Sequence, residues 1–321
     1  MLAVASHRLR ETDRMTQKWS AADIPEMSGK TAVVTGGNGG LGLAAVHQLL
    51  AHGADVIVTS RDVERGKAAV DGLGPQPGSA EVMRLDLADL ASVREFAEQV
   101  GRLVSGLDLL VNNAGIMMTP PQLTSDGFES QVGTNHLGHF ALTGLLLPLL
   151  QERHQARVVT VSSIAHSSGD ITVDNVDTVH EIDENYTPTR SYGRAKMANL
   201  LFTYELHRRL VRRCIPITSV AAHPGMSATN LGDHLLPDRL KPVLRPVFER
   251  VVQDADAGAL PTLRASTDPN VMGGEYYGPA RLRESRGAPI RVLSTDASHD
   301  APTAARLWDS SQRLTGVSYL S

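Results

Sequence analysis

The chain has 321 residues, 41% hydrophobic and 21% charged, with a formal net charge of −4. That balance builds one large globular domain and supplies no basic excess for a nucleic-acid partner. Aromatic residues make up only 4% of the chain, too few for a base-stacking surface. The single cysteine, Cys214, excludes an internal disulfide and fits a reducing, cytoplasmic setting, and no His, Cys and carboxylate spacing suits a metal.

Residues 1–28 are polar and carry no apolar stretch of signal-peptide or anchor type. They read as an extension, with 29–321 as a single domain. Met15 would make the more typical opening, which would put residues 1–14 upstream of the native start. Residues 31–35 form a short apolar run ending in glycines, the pattern of a buried strand feeding a turn. A helix is expected over 41–52, a strand over 55–60, a helix from 63 to 70, a strand over 82–85, a helix over 92–104 and a strand over 107–111. The apolar stretch 140–150 contains Pro148 and is too short to cross a membrane, so it reads as a buried helix. A strand over 157–162, a long helix over 191–212 and a strand over 217–222 follow, with Cys214 expected to pack at the end of the helix. This alternation implies right-handed βαβ units and a mostly parallel sheet covered on both faces. Residues 226–254, rich in leucine and carrying three prolines, are expected to form a substrate lid over an apolar pocket.

Chemistry concentrates at three places. The first is Thr35-Gly36-Gly37-Asn38-Gly39-Gly40-Leu41-Gly42, between the first strand and the first helix. Glycines there allow positive φ and close approach of a phosphate, and the helix N-terminus offers unpaired N–H groups to a pyrophosphate. The spacing is Gly-x-x-x-Gly-x-Gly rather than Gly-x-Gly-x-x-Gly. The second is the end of the second strand, where an acidic residue would hold a ribose 2′-hydroxyl. Ser60 and Arg61 stand there instead, which suits a 2′-phosphate and favours NADP over NAD, although Asp62 is adjacent. The third is Tyr192 and Lys196, four apart and so on one helix face. A cation beside a phenol favours the phenolate and is expected to lower its pKa from about 10 toward neutrality.

In combination these motifs resemble the short-chain dehydrogenase/reductase family, over roughly residues 30–278. The resemblance rests on Thr35-Gly36-x-x-x-Gly40-x-Gly42, Asp86, Asn112-Asn113-Ala114-Gly115, Asn135, Ser162-Ser163, Tyr192-x-x-x-Lys196 and Pro224-Gly225, in the family's order. The stretches Asn135-His136-Leu137-Gly138-His139-Phe140, Ser162-Ser163-Ile164-Ala165-His166 and Gly273-Gly274-Glu275-Tyr276-Tyr277-Gly278-Pro279 resemble the retinol-dehydrogenase-like branch. The resemblance implies a three-layer, doubly wound Rossmann fold with a mostly parallel seven-stranded sheet. It also implies that Gly36, Asn38, Gly40, Leu41 and Gly42 hold the pyrophosphate side of NADP(H). Asp86 and Leu87 would then meet the adenine, Asn113, Ala114 and Gly115 the ribose, and Pro224, Gly225 and Thr229 the nicotinamide. Tyr192 would be the general acid or base, Lys196 its modulator, Ser163 the second donor to the reacting oxygen, and Asn135 the holder of a relay water. Asp86 could instead cap the following helix, and Asn113 could mainly brace the sheet.

The expected activity is therefore NADP(H)-dependent interconversion of a hydrophobic carbonyl compound and its alcohol. The competing possibilities are a dinucleotide-sensing regulator that turns nothing over and an epimerase or dehydratase of the extended branch, whose glycine pattern this chain lacks. The segment between Ser163 and Tyr192 is long and acidic (Asp170, Asp174, Asp177, Glu181, Asp183, Glu184) and reads as a solvated lobe, from which Tyr186 could reach the substrate mouth. His166 and His223 are expected to be structural. The apolar N-terminal anchor of membrane-bound family members is missing, which weakens a retinoid or lipid substrate. A homodimer or homotetramer through the helices preceding and containing Tyr192 is expected.

Overall fold

Thr31-Ala32-Val33-Val34 forms β1 (Thr31–Val34), and three of its four side chains are fully buried. Continuous burial is what a central parallel strand requires, because helices cover both faces of the sheet. The computed structural model describes residues 18–226 and 253–321. Beside β1 lie β2 (Asp55–Ser60), β3 (Ala80–Arg84), β4 (Leu109–Asn112), β5 (Arg157–Val161), β6 (Thr218–Ala222), β7 (Tyr276–Arg281) and β8 (Arg286–Arg291). The order across the sheet is β3-β2-β1-β4-β5-β6-β7-β8. β1 to β7 pair in parallel, and β8 returns antiparallel to β7. The sheet therefore has eight strands, one more than expected. The extra strand, Arg286-Gly287-Ala288-Pro289-Ile290-Arg291, sits at the edge, where glycine, proline and charge are tolerated and the apolar strand signal is lost.

Seven helices fill the outer layers among the described residues: α1 (Gly40–Ala51), α2 (Val63–Asp71), α3 (Leu90–Leu103), α4 (Gly138–Gln151), α5 (Pro188–Arg212), α6 (Ala255–Thr267) and α7 (Ala301–Thr315). One face of the sheet buries Val46, Leu49 and Leu50 of α1 with Ala259 and Leu263 of α6. The other buries Val93 and Phe96 of α3, Phe140 and Leu146 of α4, Phe202 and Leu206 of α5, and Trp308 of α7. Trp19, Ile24 and Met27, from the segment expected to be a polar extension, are buried in the first of these cores.

Helix starts follow ordinary capping chemistry. The Asp62 carboxylate accepts from Arg65 N–H at 3.0 Å, and Asp89 accepts from Ala91 N–H at 2.9 Å. Asp89, rather than Asp86, therefore caps α3. Thr187 caps α5, with Pro188 in the first turn. Two helices start without a side-chain cap: α4, which continues from the turn before it through Leu137, and α1, whose cap residue, Gly39, has no side chain.

The long acidic segment is tied down rather than simply solvated. Asp170 and Asp183 bind Arg190 and Arg194 of α5, and Asp177 binds Arg306 and Arg313 of α7 at 2.7 and 2.8 Å. Asp174, Glu181 and Glu184 do face solvent. Beneath the acids, Ile171, Val176 and Val179 pack on Ala195, Met197 and Leu201 of α5. On the same side Trp308 stacks on Phe202 at 5.9 Å and meets Phe140 at 5.1 Å, while Tyr319 donates to the Phe140 carbonyl at 3.1 Å. The chain thus lays its own insertion and C-terminal helix on α4 and α5, the helices expected to meet a second copy. Cys214, expected to be packed, is exposed just past α5 with φ of 54°. Among the described residues no helix is long and apolar enough to cross a membrane.

Candidate active site

A cleft of about 950 Å³ opens at the C-terminal ends of β1, β2 and β4, where a doubly wound sheet binds its ligands. Its floor is the glycine turn. Gly36 adopts φ of 63°, a left-handed conformation that glycine takes without strain. A Cβ on Gly42 would collide with the Gly36 carbonyl and lie 2.7 Å from Asn113 Nδ2. With no side-chain cap at Gly39, the first N–H groups of α1 face the cleft as donors for an anion. Asn38, Gly40, Leu41 and Gly42 line this part. Bare backbone, an open helix N-terminus and a long trough together fit a dinucleotide pyrophosphate.

Asp86, Leu87, Asn113, Ala114 and Gly115 line the same cleft. Asp86 is partly buried, and Oδ1 accepts from Ala88 N–H at 3.0 Å. Asn113 is held from both its ends: its N–H donates to Thr35 Oγ1 at 2.8 Å and Nδ2 to the Thr35 carbonyl at 2.8 Å. It therefore braces β4 against β1 while its backbone faces the trough. At the far end Ser60, Arg61 and Arg65 line the wall. The Ser60 hydroxyl, expected to meet a phosphate, is turned inward and donates to the Asp62 carbonyl at 2.6 Å. Arg61 and the unanticipated Arg65, both exposed, are left as the cations. The sequence held a signal for Arg65, since it follows Arg61 by four positions at the start of a helix.

The trough ends at the Tyr192 side. A Cβ on Gly115 would lie 3.0 Å from Asn135 Oδ1 and 3.6 Å from Lys196 Nζ. Lys196 is buried and donates to the Val161 carbonyl at 3.0 Å. Burial pushes its ammonium down to about 8. Nζ stands 5.7 Å from the centre of the Tyr192 ring. The serine pair divides its work. Ser162 is buried, and its hydroxyl donates to the Lys196 carbonyl at 2.8 Å, fixing the backbone of α5 against β5. Ser163 Oγ accepts from Ala165 N–H at 3.2 Å, which leaves its own proton to donate.

The Tyr192 pKa corrects the expectation. Burial raises it above the ordinary phenol value, and only the neighbouring Ser163 hydroxyl opposes that. Lys196 does not reverse the effect in the protein alone: desolvation weakens the ammonium, whose hydrogen bond goes to Val161 instead. Asn135 has a further partner. Its side chain clamps Ile116, Oδ1 accepting from Ile116 N–H and Nδ2 donating to the Ile116 carbonyl, each at 2.8 Å. The side chain thus holds that loop. Asn135 sits in a π turn, Gly133–Leu137, a feature that recurs at functional sites.

His166 Nδ1 meets the Ser163 carbonyl at 2.7 Å and Nε2 the Thr295 N–H at 3.3 Å. His223 is fully buried, and Nε2 lies 3.0 Å from Glu284 Oε2. Both are thus held behind the site by their neighbours. The Tyr186 hydroxyl lies 3.0 Å from the Thr119 carbonyl and 3.3 Å from Glu129 Oε1. It supports the cleft wall from behind rather than opening into the substrate mouth. Pro224 and Gly225 follow β6, and Gln253 Nε2 donates to the Pro224 carbonyl at 3.1 Å. Thr229 and nearly all of the expected lid, 226–254, lie outside the described residues.

Known proteins agree with this geometry. Residues 30–174 match the family model for short chain dehydrogenase. Human retinol dehydrogenase 14 is 38% identical over 309 residues, covering 91% of this chain and 88% of its own length. The crystal structure of an uncharacterised protein from Mycobacterium paratuberculosis superposes with a TM-score of 0.79 at 43% identity, covering 94% of this chain and 99% of that one. The RhlG/NADP complex of Pseudomonas aeruginosa superposes with a TM-score of 0.62 at 26% identity, covering 78% of this chain and 94% of that one. On that likeness the chain belongs to the short-chain dehydrogenase/reductase family, in its retinol-dehydrogenase-like branch, and is an oxidoreductase that uses a nicotinamide dinucleotide.

Proposed function

We propose that the protein is an NADP(H)-dependent oxidoreductase that interconverts a hydrophobic carbonyl compound and its alcohol. The observation that carries this reading is Tyr192 with Lys196 Nζ 5.7 Å from its ring centre, beside Gly115, which lines the dinucleotide-shaped cleft and whose added Cβ would lie 3.6 Å from that Nζ. The bound dinucleotide supplies or accepts the hydride. The chain's part is to place the substrate oxygen and manage its proton. Ser163 and Tyr192 converge as two donors on that oxygen, where charge develops as the carbonyl is reduced. Tyr192 gives up its phenolic proton in reduction and takes one back in oxidation. Lys196 steadies the phenolate, and Asn135 fixes the Gly115–Ile116 loop against it.

The 2′-phosphate preference rests on Arg61 and Arg65 at the adenosine end. The carboxylate that could oppose it, Asp62, is occupied in capping α2. The NADP in the Pseudomonas aeruginosa RhlG complex supports the same cofactor. The apolar substrate rests on the leucine-rich sequence of 226–254 and on the name of the human relative, a retinol dehydrogenase. The test supplies the purified protein with NADPH and a panel of hydrophobic aldehydes and ketones, including a retinoid aldehyde. Consumption of NADPH with at least one carbonyl is expected. Tight NADPH binding with no consumption across the panel would instead favour a dinucleotide sensor.

A further inference from the structure

One buried side chain that has no part in the steps above joins the two halves of the site. His139 is 1% exposed. It lies in the first turn of α4, just past the π turn that carries Asn135. Nδ1 is 2.9 Å from the Asn135 carbonyl, and Nε2 is 2.9 Å from Thr35 Oγ1. A carbonyl oxygen only accepts, so Nδ1 carries the proton and Nε2 is left as an acceptor. Thr35 Oγ1 already accepts from the N–H groups of Asn113 and Ala114, at 2.8 and 2.9 Å. Its one proton faces two acceptors, Nε2 at 2.9 Å and the Val111 carbonyl at 3.2 Å, and the ring nitrogen is the nearer. With both acceptor sites of the Thr35 oxygen filled by those N–H groups, Nε2 can only accept there, and the imidazole is neutral.

Burial enforces that neutrality: it pushes His139 down to about 4, and the nearby Lys196 charge acts in the same direction. A protonated ring would have no acceptor at Thr35, whose oxygen is already filled. The bonds link the start of the glycine turn (Thr35), the end of β4 (Asn113 and Ala114) and the π turn (Asn135) through one ring.

We propose that His139 is a positioning residue that sets Asn135, and through it the Gly115–Ile116 loop beside Lys196, relative to the dinucleotide cleft. It touches neither substrate nor dinucleotide, so its loss acts on the catalytic step through Asn135. The inference rests on the oxidoreductase reading for its kinetic arm only.

The test compares wild type with His139→Leu and His139→Gln. Leucine removes both hydrogen bonds. Glutamine restores both roles, its amide nitrogen donating to the Asn135 carbonyl and its amide oxygen accepting from Thr35. The His139→Leu variant should lose roughly 10- to 100-fold in kcat, as a small misplacement near reacting groups does, with little change in NADPH affinity or in KM. The His139→Gln variant should recover most of that loss. An independent arm needs no turnover: nitrogen NMR of the dinucleotide-free protein should show a neutral ring protonated at Nδ1 that does not titrate between about pH 5 and 8. A leucine variant with unchanged kcat, a glutamine variant no better than leucine at equal folded content, or an Nε2-protonated or titrating ring would each overturn the proposal. If wild type itself turns over no carbonyl, the proposed activity fails, while the NMR arm still decides the tautomer and charge of His139.

Discussion

Around β1 to β4 the site is built from backbone, whereas around β5 and α5 it is built from side chains. The first region is shaped by what is absent: Cβ atoms at Gly36 and Gly42, and a capping side chain at Gly39. Its donors are N–H groups fixed by the fold, and its chemistry changes little with what occupies it. The second region depends on Tyr192, Lys196 and Ser163, whose protonation follows from desolvation and from neighbours. In the protein alone burial raises the phenol and lowers the ammonium, the reverse of what the Tyr–Lys spacing suggests for the phenol. A backbone site can therefore be read from residue types, but the working state of a side-chain site depends also on what is bound in it.

The largest effect that separates the two regions is expected for Tyr192→Phe. Turnover should drop by roughly 10²- to 10⁴-fold, the usual contribution of a general acid or base, while NADPH affinity measured by fluorescence titration stays near wild type. Equal losses in both would mean that the regions are not separable. Next is Trp308→Ala, which removes the ring that α7 lays on Phe140 and Phe202 beneath the catalytic half. It should cost about 3–5 kcal/mol in chemical denaturation; a cost near zero would show that α7 is not part of that core. For the backbone half, Arg61→Ala should weaken NADPH roughly tenfold or more and NADH little, because only the 2′-phosphate needs the guanidinium. Equal weakening of both would remove the phosphate from that end.

The smallest expected effect concerns pH. Free Lys196 gives up its proton near pH 8, and a dinucleotide that prefers the ammonium must pay for its reprotonation above that value. Affinity should be fully present below about pH 7 and fall as pH rises through about 8, in the sense that linkage requires. The same titration on Lys196→Met should be flat; an identical slope in that variant would assign the dependence elsewhere.

Much of the architecture was legible in residues 31–222, where apolar runs alternate with helical periodicity and end in glycines. The glycine turn, Asp86, Asn113 and the Tyr192 helix all lie where their patterns suggest, because spacing and residue type dictate those positions. What was not legible depended on partners far away in sequence. β8 is an edge strand stabilised by pairing with β7 rather than by its own composition. Three of the insertion's acids are bound by arginines, two of them on α7, more than 120 residues further along the chain. The clamp of the Asn135 amide on Ile116 was not legible either, since its partner is known only from the fold. His139 gave no signal of its own, since a histidine in an apolar helix is ordinary until its two neighbours are seen.

The central claim is that this cleft delivers hydride to a carbonyl carbon that Tyr192 and Ser163 hold by its oxygen. The most direct measurement follows the label from NADPH deuterated at its transferable nicotinamide position, with mass spectrometry of the product formed from an accepted aldehyde or ketone. The account predicts one deuterium on the carbinol carbon with wild type and essentially none with Tyr192→Phe. Product without deuterium, or labelled product formed equally well by Tyr192→Phe, would contradict it.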